Sequence, residues 1–275
     1  MSIRESEVDV YDDLAAQYAR ADHTRFYEGV AAALAGEGDP KLRGSGLDLA
    51  CGSGASTRPL RRLFPKLRWL GADRARGMLG RLHSRPDLAN IPLVRARGEA
   101  LPLADGALAL VACSFALHWM APTALDEIRR VLAPEGRLLA AIPLRAAGQP
   151  LVGNRLLGRA LLARRRHLQG PPRVGPTIAE LGAALAGWRL RALRAVSPAE
   201  RYASPDAFVT ALQERGVLLA LFGGDAPDGE AVLRYLSRPE GCVDFAWPLA
   251  LVDAHPPAPG APCSPSCRAD GAGDD

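Results

Sequence analysis

Short apolar runs alternate along this chain with segments whose apolar positions recur every three or four residues. The runs predict strands at 46–50, 67–72, 91–96, 107–114 and 136–142. Between them, Leu60, Leu63 and Phe64, then Met78, Leu79 and Leu82, then Leu125, Ile128 and Leu132 fall at helical spacing. Strands separated by helices in this order predict an α/β fold, a doubly wound and mostly parallel sheet with right-handed crossovers. Ahead of the first strand, Val10, Leu14 and Tyr18, then Phe26, Val30, Ala33 and Leu34, predict one or two prelude helices.

After the fifth strand the rhythm breaks. A helical stretch over 144–168 carries Leu151, Leu156, Leu161 and Leu162. Thr177 and Glu180 have capping-box spacing before Leu181 and Leu185, and Ser204-Pro205-Asp206 is a helix start for Phe208, Ala211 and Leu212. We read these as a helical insertion, or cap, over about 146–187 and 198–240, set on a core at 44–145. Trp188–Val196 and Cys242–Val252 supply two more strands and bring the sheet to seven. The folded domain is then 1–252. From Asp253 to Asp275 five prolines and no large apolar residue predict a disordered tail.

Composition narrows the class. With 275 residues, 48% hydrophobic and 23% charged, the chain can bury a full core without disulfides or metal. No uncharged apolar stretch approaches the ~20 residues that span a bilayer. The start, MSIRESEVDVYDD, lacks the apolar centre of a secretory signal, so a cytoplasmic protein without a membrane partner is expected. Five scattered cysteines do not form a disulfide framework, and Cys263 and Cys267 lack the second pair a metal site needs, so no metal is expected. A net charge of +4 on 34 basic residues, all but Lys41 and Lys66 arginine, is too small to argue for nucleic acid.

The chemistry-bearing segment is LDLACGSGAST, Leu47 to Thr57. A strand ends there in a glycine-rich turn and a helix begins, so backbone amides can approach a ligand closely. A dinucleotide fingerprint needs a third glycine, and its place holds Thr57. Asp48 lies inside an otherwise apolar strand, where an ionised carboxylate is costly unless it meets donors or a cation. A cationic ligand or a hydrogen-bonded loop therefore fits better than NAD.

LDLACGSG resembles motif I of the class I S-adenosylmethionine (SAM) dependent methyltransferases, with Ala50 where that family has its first glycine. The resemblance covers roughly residues 10 to 145. Asp73, closing the second strand, then matches the acid that receives the ribose hydroxyls. Arg97-Gly98-Glu99-Ala100-Leu101-Pro102 resembles the adenine-side loop. The cofactor positions implied are Asp48, Ala50, Gly52, Gly54, Asp73, Arg74, Met78, Glu99, Ala100 and Ser114. Past the fourth strand, Ser114 to Trp119 should floor the crevice, which makes His118 a candidate base with a backbone-bonding histidine as the alternative. Tyr18 matches a lid tyrosine of the family, with a core tyrosine as the alternative.

FALHW, ERYASPDAFVTALQERGV and FAWPLALV are most similar to the branch that methylates malonyl-acyl-carrier protein in biotin synthesis. Between Glu135 and Glu180 there is no acid, while Arg137, Arg145, Arg155, Arg159, Arg164, Arg165, Arg166 and Arg173 are positive. Such a stretch suits an acidic acyl carrier protein as partner, with one arginine pairing with the acceptor carboxylate. The alternatives are methylation of a secondary metabolite or small carboxylic acid at O, N or C, and a SAM-binding scaffold without turnover. RNA methylation is disfavoured, because no Asn-Pro-Pro-Tyr-like element or aromatic platform is present.

Overall fold

The computed structural model describes residues 11, 15, 24–35, 41–145, 151–164, 175–214, 217–218, 230–231 and 241–257. In chain order, α1 (Thr24–Ala35) leads to β1 (Gly44–Leu49), α2 (Thr57–Leu63), β2 (Leu67–Asp73), α3 (Arg76–His83) and β3 (Leu93–Arg95). Next come β4 (Leu108–Ser114), a 3-10 turn (Leu117–Trp119), α4 (Thr123–Val131) and β5 (Leu132–Pro143). The second part holds α5 (Val152–Arg164), α6 (Ile178–Ala184), β6 (Arg189–Val196), β7 (Ala199–Tyr202), α7 (Pro205–Glu214), β8 (Val243–Ala246) and β9 (Leu249–His255).

Seven strands form one sheet in the order β3-β2-β1-β4-β5-β9-β6, with β9 antiparallel to both of its neighbours and the pairs from β3 to β5 parallel. Successive strand residues point to opposite faces. In β5, Leu138, Ala140 and Ile142 join one core with Ile128 and Val131 of α4 and Leu181 of α6. Leu139 joins another with Ala31 of α1 and Leu60 of α2. Helices therefore cover both faces. The strand order reverses between β1 and β4, and at such a switch point the carboxyl ends of the strands open a crevice.

Thr177 caps α6 with both bonds of the capping box in place, and the Ser204 hydroxyl accepts from the Ala207 amide at the start of α7. α5 and α7 share a separate small core with β8, through Leu156, Ala160, Phe208, Leu212 and Phe245. By contrast α6, expected in the cap, buries Leu181 in the core of the main sheet.

Two expectations need correction. The single strand expected at Cys242–Val252 is two, because the chain turns at Trp247-Pro248, where proline has no amide to give to a ladder. Trp247 donates its amide to Pro198 O, and β8 pairs with β7 outside the main sheet. The folded chain also runs past residue 252, since Asp253, Ala254 and His255 belong to β9. Asp253 reads as the start of a polar tail but is buried against Arg137. The expectations for Val10, Leu14, Tyr18, residues 258–275 and the cysteines at 263 and 267 lie outside the described residues. Among the described residues, no helix is long and apolar enough to cross a membrane, and no cluster of His, Cys, Asp and Glu could hold a metal ion.

Candidate functional site

The turn after β1 is built from left-handed backbone: Ala50, Gly52 and Gly54 have φ of 57°, 53° and 87°. The two glycines are needed for different reasons. A Cβ on Gly54 would lie 2.6 Å from Leu88 Cδ1, so Gly54 serves packing. A Cβ on Gly52 would meet nothing within 4 Å, so space is open beside it. Ala50 holds a conformation that costs a residue with a side chain ~1–2 kcal/mol.

Asp48 is fully buried in β1, beside Gly71 of β2 and Ala112 of β4. Its Oδ2 accepts hydroxyl bonds from Thr57 at 2.5 Å and Ser56 at 3.2 Å. Its Oδ1 is buried with no partner. Burial pushes this carboxyl up to about 7, against the pull of the two hydroxyls, and the neighbouring Asp73 adds to the rise.

Asp73 closes β2 and accepts the amide of Gly52 on Oδ2 and that of Ala75 on Oδ1, both at 2.9 Å. It thereby ties the turn after β1 to the turn after β2. Burial raises its carboxyl above the usual range while the amides of Ala75 and Gly52 hold it down. Next to it, Arg74 has a buried Nη2 without a partner, and its guanidinium lies 6.0 Å from the Tyr11 ring centroid. Met78 is interior, packed with Ala15 and Ala75.

The loop from Arg97 to Leu103 is held from α4. Glu127 accepts the Leu101 amide at 2.6 Å, and Arg130 donates to the carbonyls of Leu101 and Leu103 while pairing with Glu127. That pairing keeps the Glu127 carboxyl below its usual range. In this loop Glu99 is half-buried and accepts the Ala121 amide at 2.7 Å, whereas Ala100 is exposed. Gly98 lies so close to Met120 that a Cβ would stand 2.4 Å from its sulfur.

At the exit of β4, Ser114 is buried and Phe115 takes φ of 60°. His118 follows in the 3-10 turn, its ring 4.9 Å from that of Trp119 and its Nδ1 buried without a partner. Burial lowers the imidazole to about 4, so it is neutral at pH 7.

The sheet thus brings Asp48, Ala50, Gly52, Gly54, Asp73 and Ser114 to the carboxyl edge of three adjacent strands, with Glu99 three residues past the amide that Ala96 gives to Asp73 O. Tyr18 is outside the described residues, whereas Tyr11 and Ala15 are described, next to Arg74 and Met78 respectively. The basic stretch needs correction: Arg137 is buried in an ion pair with Asp253, and Arg145 pairs with Glu180 at 3.2 Å, so neither is a free surface charge. Arg155 and Arg159 are exposed, one turn apart on α5. Thr57, Glu127, Arg130 and Tyr11 escape the sequence reading. Of these only Thr57, in the place of a third glycine, carries a signal. A recess of about 660 Å³ lined by Arg76, Leu79, Gly80, His83 and Leu93 contains none of the candidate residues.

Residues 47–136 match the sequence model of the methyltransferase domain. A malonyl-[acyl-carrier protein] O-methyltransferase of Alcanivorax borkumensis is 40% identical over 101 residues, 36% of this chain and 34% of that protein. A demethylmenaquinone methyltransferase of Corynebacterium kroppenstedtii is 39% identical over 102 residues, 36% of this chain and 42% of that protein. The chain therefore spans less than half the length of either relative. Among solved structures, the [4+2]-cyclase SpnF superposes with a TM-score of 0.55 at 20% identity, covering 87% of this chain and 85% of that one. The likeness to a cyclase is one of fold, which hosts more than one chemistry.

Proposed function

Residues 47–136 form a SAM-dependent methyltransferase domain, and from that premise we propose that the chain methylates the free carboxylate of a malonyl group carried on an acyl carrier protein. Two features fit the donor. The buried Asp48 Oδ1 has no partner, and the space beside Gly52 is open. When bound, SAM supplies an electrophilic methyl group on a positively charged sulfur.

In this reading Asp48 provides negative charge to a cationic ligand, Gly52 and Gly54 shape the turn against it, and Ala50 continues that turn. Asp73 takes the ribose hydroxyls and Glu99 the adenine side, with Arg74, Met78 and Ala100 around them. Ser114 completes the cofactor set, and His118 stands on the acceptor side. The acceptor oxygen forms a C–O bond as the C–S bond breaks, so methyl ester and S-adenosylhomocysteine are left and no proton has to move. The protein's task is to align the pair and exclude water.

The observation that carries the choice of acceptor is His118. An imidazole lowered to about 4 is a poor base at neutral pH, whereas amines and phenols need one and a carboxylate does not. Identity to a malonyl-[acyl-carrier protein] O-methyltransferase over about a third of the chain supports the same reading. So does Arg159, an exposed positive charge on α5 that suits an acidic carrier. The test is incubation with malonyl-acyl carrier protein and methyl-labelled SAM. A labelled methyl ester is expected. Turnover of phenols, amines or ring carbons alone overturns the reading in favour of the second, a small-metabolite methyltransferase, which the identity to a demethylmenaquinone methyltransferase favours. SAM binding with no turnover of any acceptor would point to a scaffold.

A further inference from the structure

Three aromatic rings from three distant segments meet at the exit of β4. Phe26 of α1 lies 5.5 Å from Phe115 and 5.3 Å from Trp247, which joins β8 to β9. All three are half-buried. Beneath them lie Val30, Leu34, Ala141, Leu249 and Leu251, so the rings form the outer layer of an apolar patch.

Phe115 is the unusual member. A left-handed φ of 60° is strained for an aromatic residue, and the position is fixed because the Phe115 amide donates to Ala141 O at 2.7 Å. The strain falls directly after the last residue of β4, at the carboxyl end where the crevice opens. Its counterpart is Ala50, just past the end of β1, on the strand hydrogen-bonded to β4. Among the described residues these two are the non-glycine positions with positive φ, and they stand on the two sides of the switch point.

Trp247 is also fixed. Its indole N–H donates to Glu200 Oε2 at 2.7 Å, and the Tyr202 hydroxyl donates to the same oxygen at 2.8 Å. Phe245 meets the indole edge-on at 4.8 Å. A carboxylate thus holds one large ring in place from behind, which is the arrangement of a preorganised apolar wall.

We infer that Phe26, Phe115 and Trp247 form the subsite for the uncharged arm of the acceptor, an acyl thioester, and that Glu200 is a positioning residue that holds Trp247 in that wall. This rests on the carboxylate-acceptor reading above. The wall is built from α1, the exit of β4 and the junction of β8 and β9, none of which carries Asp48 or Asp73, so its loss is expected to act first on the acceptor.

The experiment uses the full chain with the malonyl thioester of N-acetylcysteamine and, separately, free malonate. Glu200→Ala is expected to raise KM for the thioester about tenfold, with the SAM Kd from calorimetry unchanged. Glu200→Gln keeps an oxygen that accepts the indole N–H and should restore KM. Phe115→Gly removes the ring and should raise thioester KM. Thioester quenching of tryptophan fluorescence should weaken in Trp247→Phe, and free malonate should be indifferent to Glu200→Ala and Glu200→Gln. If wild type methylates no malonyl thioester, the functional reading fails. If it does so with a KM that ignores Glu200→Ala and Phe115→Gly, or if KM and SAM Kd rise together, the wall is overturned alone.

Discussion

Thr57, standing where a dinucleotide fingerprint has its third glycine, donates its hydroxyl to Asp48 Oδ2 at 2.5 Å. The substitution that weakens one motif thereby supports another: it gives a buried acid a donor on one oxygen and leaves the other without a partner.

The first prediction concerns pH. Burial lifts Asp48 to about 7, so its charge changes near neutral pH in the free protein. A folded pKa above the unfolded one stabilises the protonated form. This contribution to stability is complete below the unfolded value of 3.8 and is lost as pH rises through about 7. A cationic ligand favours the carboxylate, so SAM affinity should tighten several-fold between about pH 6 and about pH 8. Asp48→Asn should flatten that dependence, and Thr57→Val, removing a bond that lowers the pKa, should move its midpoint upward. Calorimetric titration across this range checks all three, and a flat wild-type profile removes Asp48 from the cofactor site.

The second concerns Asp73, which accepts two backbone amides from two different turns. Asp73→Ala leaves both amides short of an acceptor, at ~1–3 kcal/mol for each that stays buried. SAM binding should weaken roughly ten- to hundredfold, with a lower thermal midpoint. Asp73→Asn keeps one accepting oxygen and should fall between. Unchanged SAM affinity in Asp73→Ala, measured by calorimetry, contradicts the assignment.

Ala50 supplies the third. At φ 57° it sits in the region glycine prefers, which costs it ~1–2 kcal/mol, while glycine costs ~0.5–1 kcal/mol more of unfolded-state entropy. Ala50→Gly, which puts a glycine where the motif it resembles has one, should therefore stabilise by ~0.5–1 kcal/mol and raise the midpoint by about 1–4 °C. Differential scanning calorimetry decides the sign.

What the sequence made legible was whatever leaves a local mark. Apolar runs located β1, β2, β4 and β5 to within a few residues, and Thr177 with Glu180 marked the start of α6. Asp48 and Gly52 stood out because an acid in a strand or a glycine in a tight turn is locally anomalous, whereas Asp73 stood out only through the resemblance to the class I methyltransferases. The split between β8 and β9 was hidden because the segment from Phe245 to Val252 is apolar, with Pro248 the one clue at the break. Long-range polar contacts leave no periodic trace, so the clamp of Arg130 on the Leu101–Leu103 loop was invisible. Counting arginines between Glu135 and Glu180 likewise missed that Arg137 was already paired with an acid 116 residues away.

That pair gives the last prediction. Arg137 of β5 donates from Nε and Nη2 to the two oxygens of Asp253 in β9, and both side chains are almost fully buried. Half-exposed Arg191 reaches the same carboxylate only at 3.6 Å. Removing one partner strands a buried charge, so Arg137→Met or Asp253→Leu should each cost ~3–5 kcal/mol in urea unfolding. The double variant replaces the pair with apolar bulk and should recover most of that loss, because the desolvation of two ions disappears along with their attraction. A near-additive double variant would instead mean that each side chain acts through separate contacts. Since β9 is antiparallel to β5 and carries the chain's return to the sheet, the recovery should appear as restored stability with the SAM affinity of wild type.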